Sequence, residues 1–330
     1  MNWILYVGMA VLLFAVEVIY LRLAARFWIV DKPNERSAHV HVTVRGGGVI
    51  FWIAALAAFL YSGGANPYFF AGLTLVALVS FWDDVASLPN RYRLAVQLVS
   101  VGLLMQAVQP GPMIGAWTLL GVVVACGTLN AYNFMDGING ITAFYSLATI
   151  GTLLYINQTG PPFTEPTLPT FVLIGLLVFT FFNARPKALC FAGDVGSVSM
   201  AFVVLFLLAR LMLATGMLTY VLLLAVYGVD SVLTILHRLW LRENIFQAHK
   251  LHLYQLLVHR LKWPHLAVSG VYAGTQLAVN GVAIWLASQS VAWQGLGCSV
   301  VLLTLALGYR IAVRWLVTKK PQTATAAVGS

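Results

Sequence analysis

The sequence predicts an all-α polytopic membrane protein of about eleven transmembrane helices, with its chemistry gathered at one membrane face. Three observations carry this prediction. Of 330 residues, 60% are apolar and 9% charged, and mean hydropathy is +0.87. A soluble domain carries roughly a quarter of its residues as charges. Apolar runs near the ~20 residues that a span requires alternate with short polar connections. The polar chemistry falls in Asp31–Gly48, Asp83–Arg93, Asn130–Gly140, Asn183–Ser197 and His237–His265, and these stretches share one side when the spans alternate.

The spans are expected near 3–22, 47–62, 67–82, 94–109, 115–133, 140–157, 169–183, 196–214, 217–236, 266–287 and 293–313. The opening Met-Asn-Trp lacks a basic region and no small-residue cleavage site follows, so the first span is read as a retained helix. With the 31–46 connection placed inside the cell, Lys32, Arg36, Arg45, Arg91, Arg93, Arg185, Lys187, Arg238, Arg242, Lys250, Arg260, Lys262, Arg314, Lys319 and Lys320 all face the cytoplasm. The opposite connections carry no Lys or Arg; Arg210, inside the eighth span, is the exception. This is the positive-inside pattern, and it puts the N-terminus outside and the C-terminus inside. The net charge of +9 is therefore read as a topology signal rather than a nucleic-acid surface. Residues 1–318 form one transmembrane domain and 319–330 a short disordered tail. Cys126, Cys190 and Cys298 are far apart and odd in number, which fits neither a disulfide framework nor a metal motif.

Asp83-Asp84 ends an apolar run. Adjacent carboxylates repel unless a cation or donor lies between them; Ser87-Leu88-Pro89 supplies a turn, and Arg91 and Arg93 two nearby cations. The plain alternative is a solvated loop start with a capping Asp. Asn130, Asn133, Asp136 and Asn139 recur every third residue, so on a helix they form a drifting stripe. Gly137 and Gly140 loosen that helix and allow close backbone approach. Four short polar groups and two glycines are too dense for the polar glue of helix packing. Asp136 and the Asn carbonyls are hard oxygen donors suited to Mg²⁺, and the amides can read a planar base.

Gly193-Asp194-Val195-Gly196-Ser197 precedes an apolar helix, where Asp194 reads as its N-cap and the helix start as an anion site. Arg185 and Lys187 add positive charge nearby. His249 and His252, three apart with Lys250 between, would share a helix face. A phosphate-gripping or acid–base pair suits them better than zinc. Asp31-Lys32-Pro33, Arg36, His39 and Arg45-Gly46-Gly47-Gly48 form a basic loop whose glycines could present backbone N–H groups to a phosphate. Glu17, Asp230 and Arg210 are intramembrane charges, functional by default but equally suited to structural pairing or snorkelling.

In this order, Asp31-Lys-Pro…Arg36…His39…Arg45-Gly-Gly, Asp83-Asp84, Asn133-Phe-Met-Asp136-Gly-Ile-Asn139-Gly140, Gly193-Asp194-Val-Gly-Ser197 and His249-xx-His252 resemble the polyprenyl-phosphate N-acetylhexosamine-1-phosphate transferases of glycosyltransferase family 4. The resemblance spans essentially the whole chain and favours the bacterial branch that begins O-antigen-type chains. Asn139 stands where the muramoyl-pentapeptide branch commonly has Asp, and the triple-His run of that branch is absent. Ser87 and Leu88 stand where some relatives carry a third Asp.

The resemblance implies a multi-pass enzyme of the bacterial inner membrane with its active site at the cytoplasmic face and its N-terminus in the periplasm. It would transfer sugar-1-phosphate from a UDP-N-acetylhexosamine to undecaprenyl phosphate and release UMP. Asp194 and Asn133 would hold Mg²⁺, for which Mn²⁺ can substitute. Asp83 or Asp84 would meet the lipid phosphate as base or positioner. Asn139 would read the uracil with Asp136 near the nucleotide, and His249 and His252, beside Lys250, would contact the sugar-phosphate end. Lys32, Arg36, Arg45 and Arg185 would supply phosphate ligands. No nucleic acid is involved, and a bundle of this size can work alone or as a homodimer. The competing class is a transporter or lipid flippase, which would place its polar groups near the midplane of repeated, broken helices.

Overall fold

The computed structural model describes residues 3–33, 41–111, 115–244 and 250–318, and the chain is 79% helical. Its helices are α1 (Trp3–Arg26), α2 (Val49–Tyr61), α3 (Pro67–Val85), α4 (Asn90–Val108), α5 (Ala116–Met135), α6 (Ile141–Thr159), α7 (Thr167–Asn183), α8 (Gly193–Thr215), α9 (Ala225–Trp240), α10 (Leu253–Leu261), α11 (His265–Ala287) and α12 (Val291–Thr318). A 3-10 stretch, Leu218–Leu224, leads into α9. Each span expected from the sequence overlaps one of these helices. Among the described residues six segments are long and apolar enough to cross a membrane: α1, α3, α5, α8, Leu218–Trp240 and α12; α2 and α7 are shorter apolar helices. The short helix α10 was not anticipated inside the 237–265 connection.

Local chemistry sets the boundaries. Asn66 is left-handed (φ 58°) and Pro67 opens α3, where its missing N–H costs nothing. Pro89 and Pro264 precede α4 and α11 in extended backbone. The core is built around α8, whose first sixteen residues, 193–208, are all buried, against α2, α3, α5 and α6. By contrast α1 and α12 bury few residues and present Leu, Val, Phe and Trp outward, as helices in contact with hydrocarbon do.

A neutral polar seam joins α6, α11 and the 3-10 stretch. Gln276 Oε1 accepts from Tyr145 OH (2.7 Å) and from the Val226 N–H (3.0 Å). Its Nε2 donates to Leu222 O (2.9 Å) and Asn280 Oδ1 (2.6 Å). Asn280 in turn donates to Thr152 Oγ1 (2.9 Å). The amide thus satisfies a carbonyl of the 3-10 stretch, which a membrane interior demands.

At the opposite end of the α8 core from Arg210, β1 (Val30–Asp31) pairs antiparallel with β2 (Thr43–Val44). The chain before α8 extends this pairing: Phe191 N donates to Val44 O, Gly47 N to Phe191 O and Gly48 N to Ala192 O. The expectation that these glycines offer N–H groups to phosphate is therefore corrected for Gly47 and Gly48, whose donors are consumed by backbone. Their value is steric, since a Cβ on Gly48 would collide with the Gly196 backbone. Arg210 Nε donates to Phe163 O (3.3 Å) in the 160–166 connection, tying that connection to α8. The tail at 319–330 lies outside the described residues.

Candidate active site

Five elements converge on one ionic cluster. Asp83 and Asp84 occupy the last turn of α3, Asp194 the first turn of α8, Arg45 follows β2, and Arg93 sits in the first turn of α4. Arg45 reaches Asp84 Oδ1 with Nε (2.7 Å) and Asp194 Oδ1 with a terminal nitrogen (2.9 Å). Arg93 bridges Asp83 Oδ2 (3.0 Å) and Asp194 Oδ2 (2.7 Å). Asn133, in the last turn of α5, donates to Ser197 Oγ (3.3 Å), and its Oδ1 lies 3.5 Å from Arg93. Two guanidiniums shared among three carboxylates leave an excess of one negative charge. Burial works against the Arg45 charge, but Asp84, Asp194 and Asp31 outweigh it and hold its pKa above the ordinary value.

The two adjacent carboxylates have separate jobs. Asp84 accepts from the Asp194 N–H (2.9 Å) and the Val195 N–H (3.0 Å), so it caps α8 from a different helix. The reading of Asp194 as that cap is corrected: the helix begins at Gly193, and Asp194 faces the two arginines instead. Asp83 Oδ1 accepts only the Leu88 N–H (2.6 Å) from the turn that follows, and Asp83 is not a solvated loop start but a buried side chain.

The stripe from Asn130 to Asn139 is helical only to Met135; Asp136 to Gly140 is the connection to α6. This corrects the single-helix picture. Gly140 adopts φ 82° and its N–H donates to Asn183 Oδ1 (2.8 Å), a turn that redirects the chain into α6. Asp136 accepts from Thr142 Oγ1 (2.6 Å). Burial, aided by the Asp194 charge and opposed by the Thr142 bond and the Arg45 charge, pushes its carboxyl up to about 7. Asn139 donates to Arg185 O (2.7 Å) and Pro186 O (3.3 Å), while Ser269 Oγ donates to its carbonyl (2.8 Å). Its buried Oδ1 has no hydrogen-bond partner, an acceptor left over for a ligand N–H.

The remaining predicted residues distribute unevenly. His252 is buried and N-caps α10 in extended backbone (φ −62°, ψ 145°), so it lies outside the helix on which the sequence placed it. The reason is local: a capping residue cannot also be helical. Arg185 lies over the Phe181 ring (4.3 Å) and donates to Phe181 O (2.6 Å), away from the ionic cluster. Lys32 is exposed beside β1, and Lys250 is half-buried in the approach to α10. Arg36, His39 and His249 lie outside the described residues. Sequence reasoning did not single out Arg93, Ser197 or Thr142. Arg93 was visible as one of two cations after Asp83-Asp84, and only the direction in which the first turn of α4 points it distinguishes it from exposed Arg91.

The metal donors expected were Asp194 and Asn133. Among the described residues no set of three or more His, Cys, Asp or Glu side chains is arranged to hold a metal ion. Mg²⁺ is ordinarily bound by one or two carboxylates with substrate phosphates and water rather than by an all-protein cage. A hard-oxygen set of Asp194 and Asn133 fits that chemistry.

Helices of membrane-spanning length carry carboxylates, guanidiniums and amides at one end, and guanidiniums suit phosphate anions. Residues 66–212 match the family described as glycosyl transferase family 4. The chain is 25% identical to a Bacillus subtilis protein named "Probable undecaprenyl-phosphate N-acetylglucosaminyl 1-phosphate transferase", over 80% of this chain and 81% of that one. It is 26% identical to the undecaprenyl-phosphate alpha-N-acetylglucosaminyl 1-phosphate transferase of Yersinia pestis, over 57% of each chain. It is 27% identical to the phospho-N-acetylmuramoyl-pentapeptide-transferase of Thermotoga neapolitana, over 47% of this chain and 56% of that one. For these last two the chain spans little more than half the relative's length. Over residues 66–212 and across these relatives the chain is similar to the polyprenyl-phosphate sugar-1-phosphate transferases, which supports a phosphosugar transferase.

Proposed function

We infer that the chain transfers an N-acetylhexosamine 1-phosphate from its UDP conjugate to undecaprenyl phosphate at the cytoplasmic face of a bacterial inner membrane. The observation that carries this reading is the cluster of Asp83, Asp84 and Asp194 cross-linked by Arg45 and Arg93. A phosphate oxygen of the lipid attacks the β-phosphorus of the donor. One P–O bond forms, the bond from the β-phosphorus to the bridging oxygen breaks, and UMP leaves with the electron pair. The attacking phosphate has a second pKa near ~6 and is already a nucleophile at neutral pH, so the demand on the protein is alignment and charge neutralisation. Arg45 and Arg93, now paired with carboxylates, are the groups that can turn to the phosphates. Asp84 is committed to capping α8, which makes Asp83 the carboxylate to position the lipid phosphate. Asp194 and Asn133 would hold Mg²⁺, which when bound neutralises the diphosphate and polarises it toward attack. Asn139 Oδ1 suits the imide N–H of uracil, with Asp136 alongside. His249 and His252 would contact the sugar-phosphate end of the donor, and Lys32, Arg36, Arg185 and Lys250 are proposed as outer phosphate ligands.

The positive-inside distribution supports an arrangement of eleven spans with the N-terminus outside. N-acetylglucosamine is the sugar to try first, because two of the relatives are named for it; an O-antigen-type polymer is the proposed destination. The clustering of charged groups at one end, rather than at mid-helix breaks, favours this reading over transport. The test is UMP release from detergent-purified protein given undecaprenyl phosphate, Mg²⁺ and a panel of UDP-N-acetylhexosamines. Release that requires both lipid and metal is the expected result; release without lipid, or none with any sugar, would discard it.

A further inference from the structure

Outside the ionic cluster, the most elaborately held charge in the chain is Asp230, in the second turn of α9 and 2% exposed. Its Oδ1 faces His252 Nδ1 at 3.0 Å and accepts from the Leu253 N–H (3.3 Å) and Thr234 Oγ1 (3.2 Å). Its Oδ2 accepts from Tyr272 OH at 2.5 Å. Thr234 also meets Tyr309 OH (2.7 Å), so α9, α10, α11 and α12 join at this one carboxylate. His252 is itself 1% exposed and stacks on Tyr254 (centroids 5.9 Å apart) with Phe134 on its flank (6.3 Å). Tyr254 OH donates to Phe134 O (2.9 Å), beside Asn133 at the end of α5. The histidine ring is thereby fixed in plane by two aromatics and in rotation by the carboxylate.

We propose that Asp230 is the positioning residue of His252: its carboxylate holds Nδ1–H, sets the tautomer and turns the ring so that its chemistry passes through Nε2. This rests on the reading that His252 contacts the sugar-phosphate end of the donor. A buried carboxylate behind an imidazole has this effect wherever the opposite nitrogen must be presented to a reactant. The plainer possibility is that Asp230 merely ties down the start of α10, since it also accepts the Leu253 N–H. The two differ in how they combine with loss of the ring. A residue that acts through His252 has nothing left to do once the imidazole is gone, whereas a structural tie damages either background equally.

The experiment is a double-mutant cycle on the full-length protein in detergent, reading kcat and donor KM for UMP release, with thermal unfolding as a folding control. Asp230→Asn is expected to lower kcat at least tenfold with donor KM within threefold of the parent, and to change kcat less than twofold when placed on His252→Gln. Should Asp230→Asn not fold, Tyr272→Phe replaces it; that change removes one donor from Oδ2, and its two- to fivefold loss should vanish on His252→Gln. If the losses multiply in the double variant, the proposal falls while His252 keeps its place in the site. If His252→Gln alone retains the parent rate, the reading of His252 falls and takes this proposal with it.

Discussion

The molecule contains two buried polar networks of opposite character. In the seam of α6, α11 and the 3-10 stretch, Gln276, Asn280 and Tyr145 are neutral, and Gln276 uses both ends of its amide on protein partners. At the N-terminal end of α8, Asp83, Asp84, Asp194, Arg45 and Arg93 are ionic and come from α3, α4, α8 and the segment after β2. The seam is finished: it bonds helices and asks for nothing more. The cluster is provisional, because guanidiniums that pair with carboxylates can exchange them for phosphates, and the charges do not balance. Neutral polar groups inside a bundle mark assembly; charges that must be shared mark the place where a substrate completes the account.

This contrast can be broken or sharpened by substitution, and the largest effect belongs to the cluster. Asp194→Asn removes the carboxylate that both arginines share, and turnover should fall by about 100-fold or more with little change in the folded yield; UMP release against detergent-stable protein measures it. A rate near the parent's would take Asp194 out of the metal and charge roles. Next is Gly48→Ala, which forces the loop carrying Arg45 off the Gly196 backbone. Overpacking at a backbone contact costs ~1–3 kcal/mol or more, so the melting temperature and the rate should drop together. Third, Gln276→Leu strands the Tyr145 hydroxyl, the Val226 N–H and the Leu222 carbonyl. It should lower stability by about 2 kcal/mol while turnover per folded molecule stays within twofold. If that variant lost activity and kept its melting temperature, the seam would not be the assembly device described. The smallest effect concerns pH. Burial, with Lys250, Lys262 and His265 around it, holds the His259 pKa below its ordinary 6.5. The unfolded chain then takes up the proton first as pH falls below 6.5, so stability present above 6.5 is lost as pH descends through the folded-state value. His259→Gln should flatten that decline in melting temperature between neutral and mildly acidic buffer.

Much of this was legible in the sequence because membrane helices announce themselves by length and apolarity, and because short polar groups cannot hide among Leu and Val. Asp83, Asp84, Asn133, Asp136, Asn139, Asp194 and Arg45 stood out for that reason, and the structure brings Arg45, Asp83, Asp84, Asn133 and Asp194 together. What sequence could not give was direction. Arg91 and Arg93 are two residues apart and chemically identical, yet the helical turn exposes one and buries the other in the cluster. Asp84 and Asp194 each had the look of a capping residue, and only tertiary packing shows that Asp84 caps the helix Asp194 begins. Asp230 read only as an intramembrane charge suited to function, pairing or snorkelling, because its donors come from two distant places in the chain and its own helix. The glycines at 46–48 suggested phosphate binding, but the long-range pairing with residues 191 and 192 claims the donors of Gly47 and Gly48.

The enclosure of α8 has a consequence for how the site meets its surroundings. Asp194 rides on a helix walled off by α2, α3, α5 and α6, while α1 and α12 form the outer boundary. A bilayer that thins, thickens or stiffens presses first on the outer helices, whose tilt can absorb the mismatch at a fraction of a kcal/mol per Å. The spacing between Asp84 and the start of α8 is fixed by two backbone hydrogen bonds and is insulated from that strain. Such a site keeps its geometry across membranes of different lipid length.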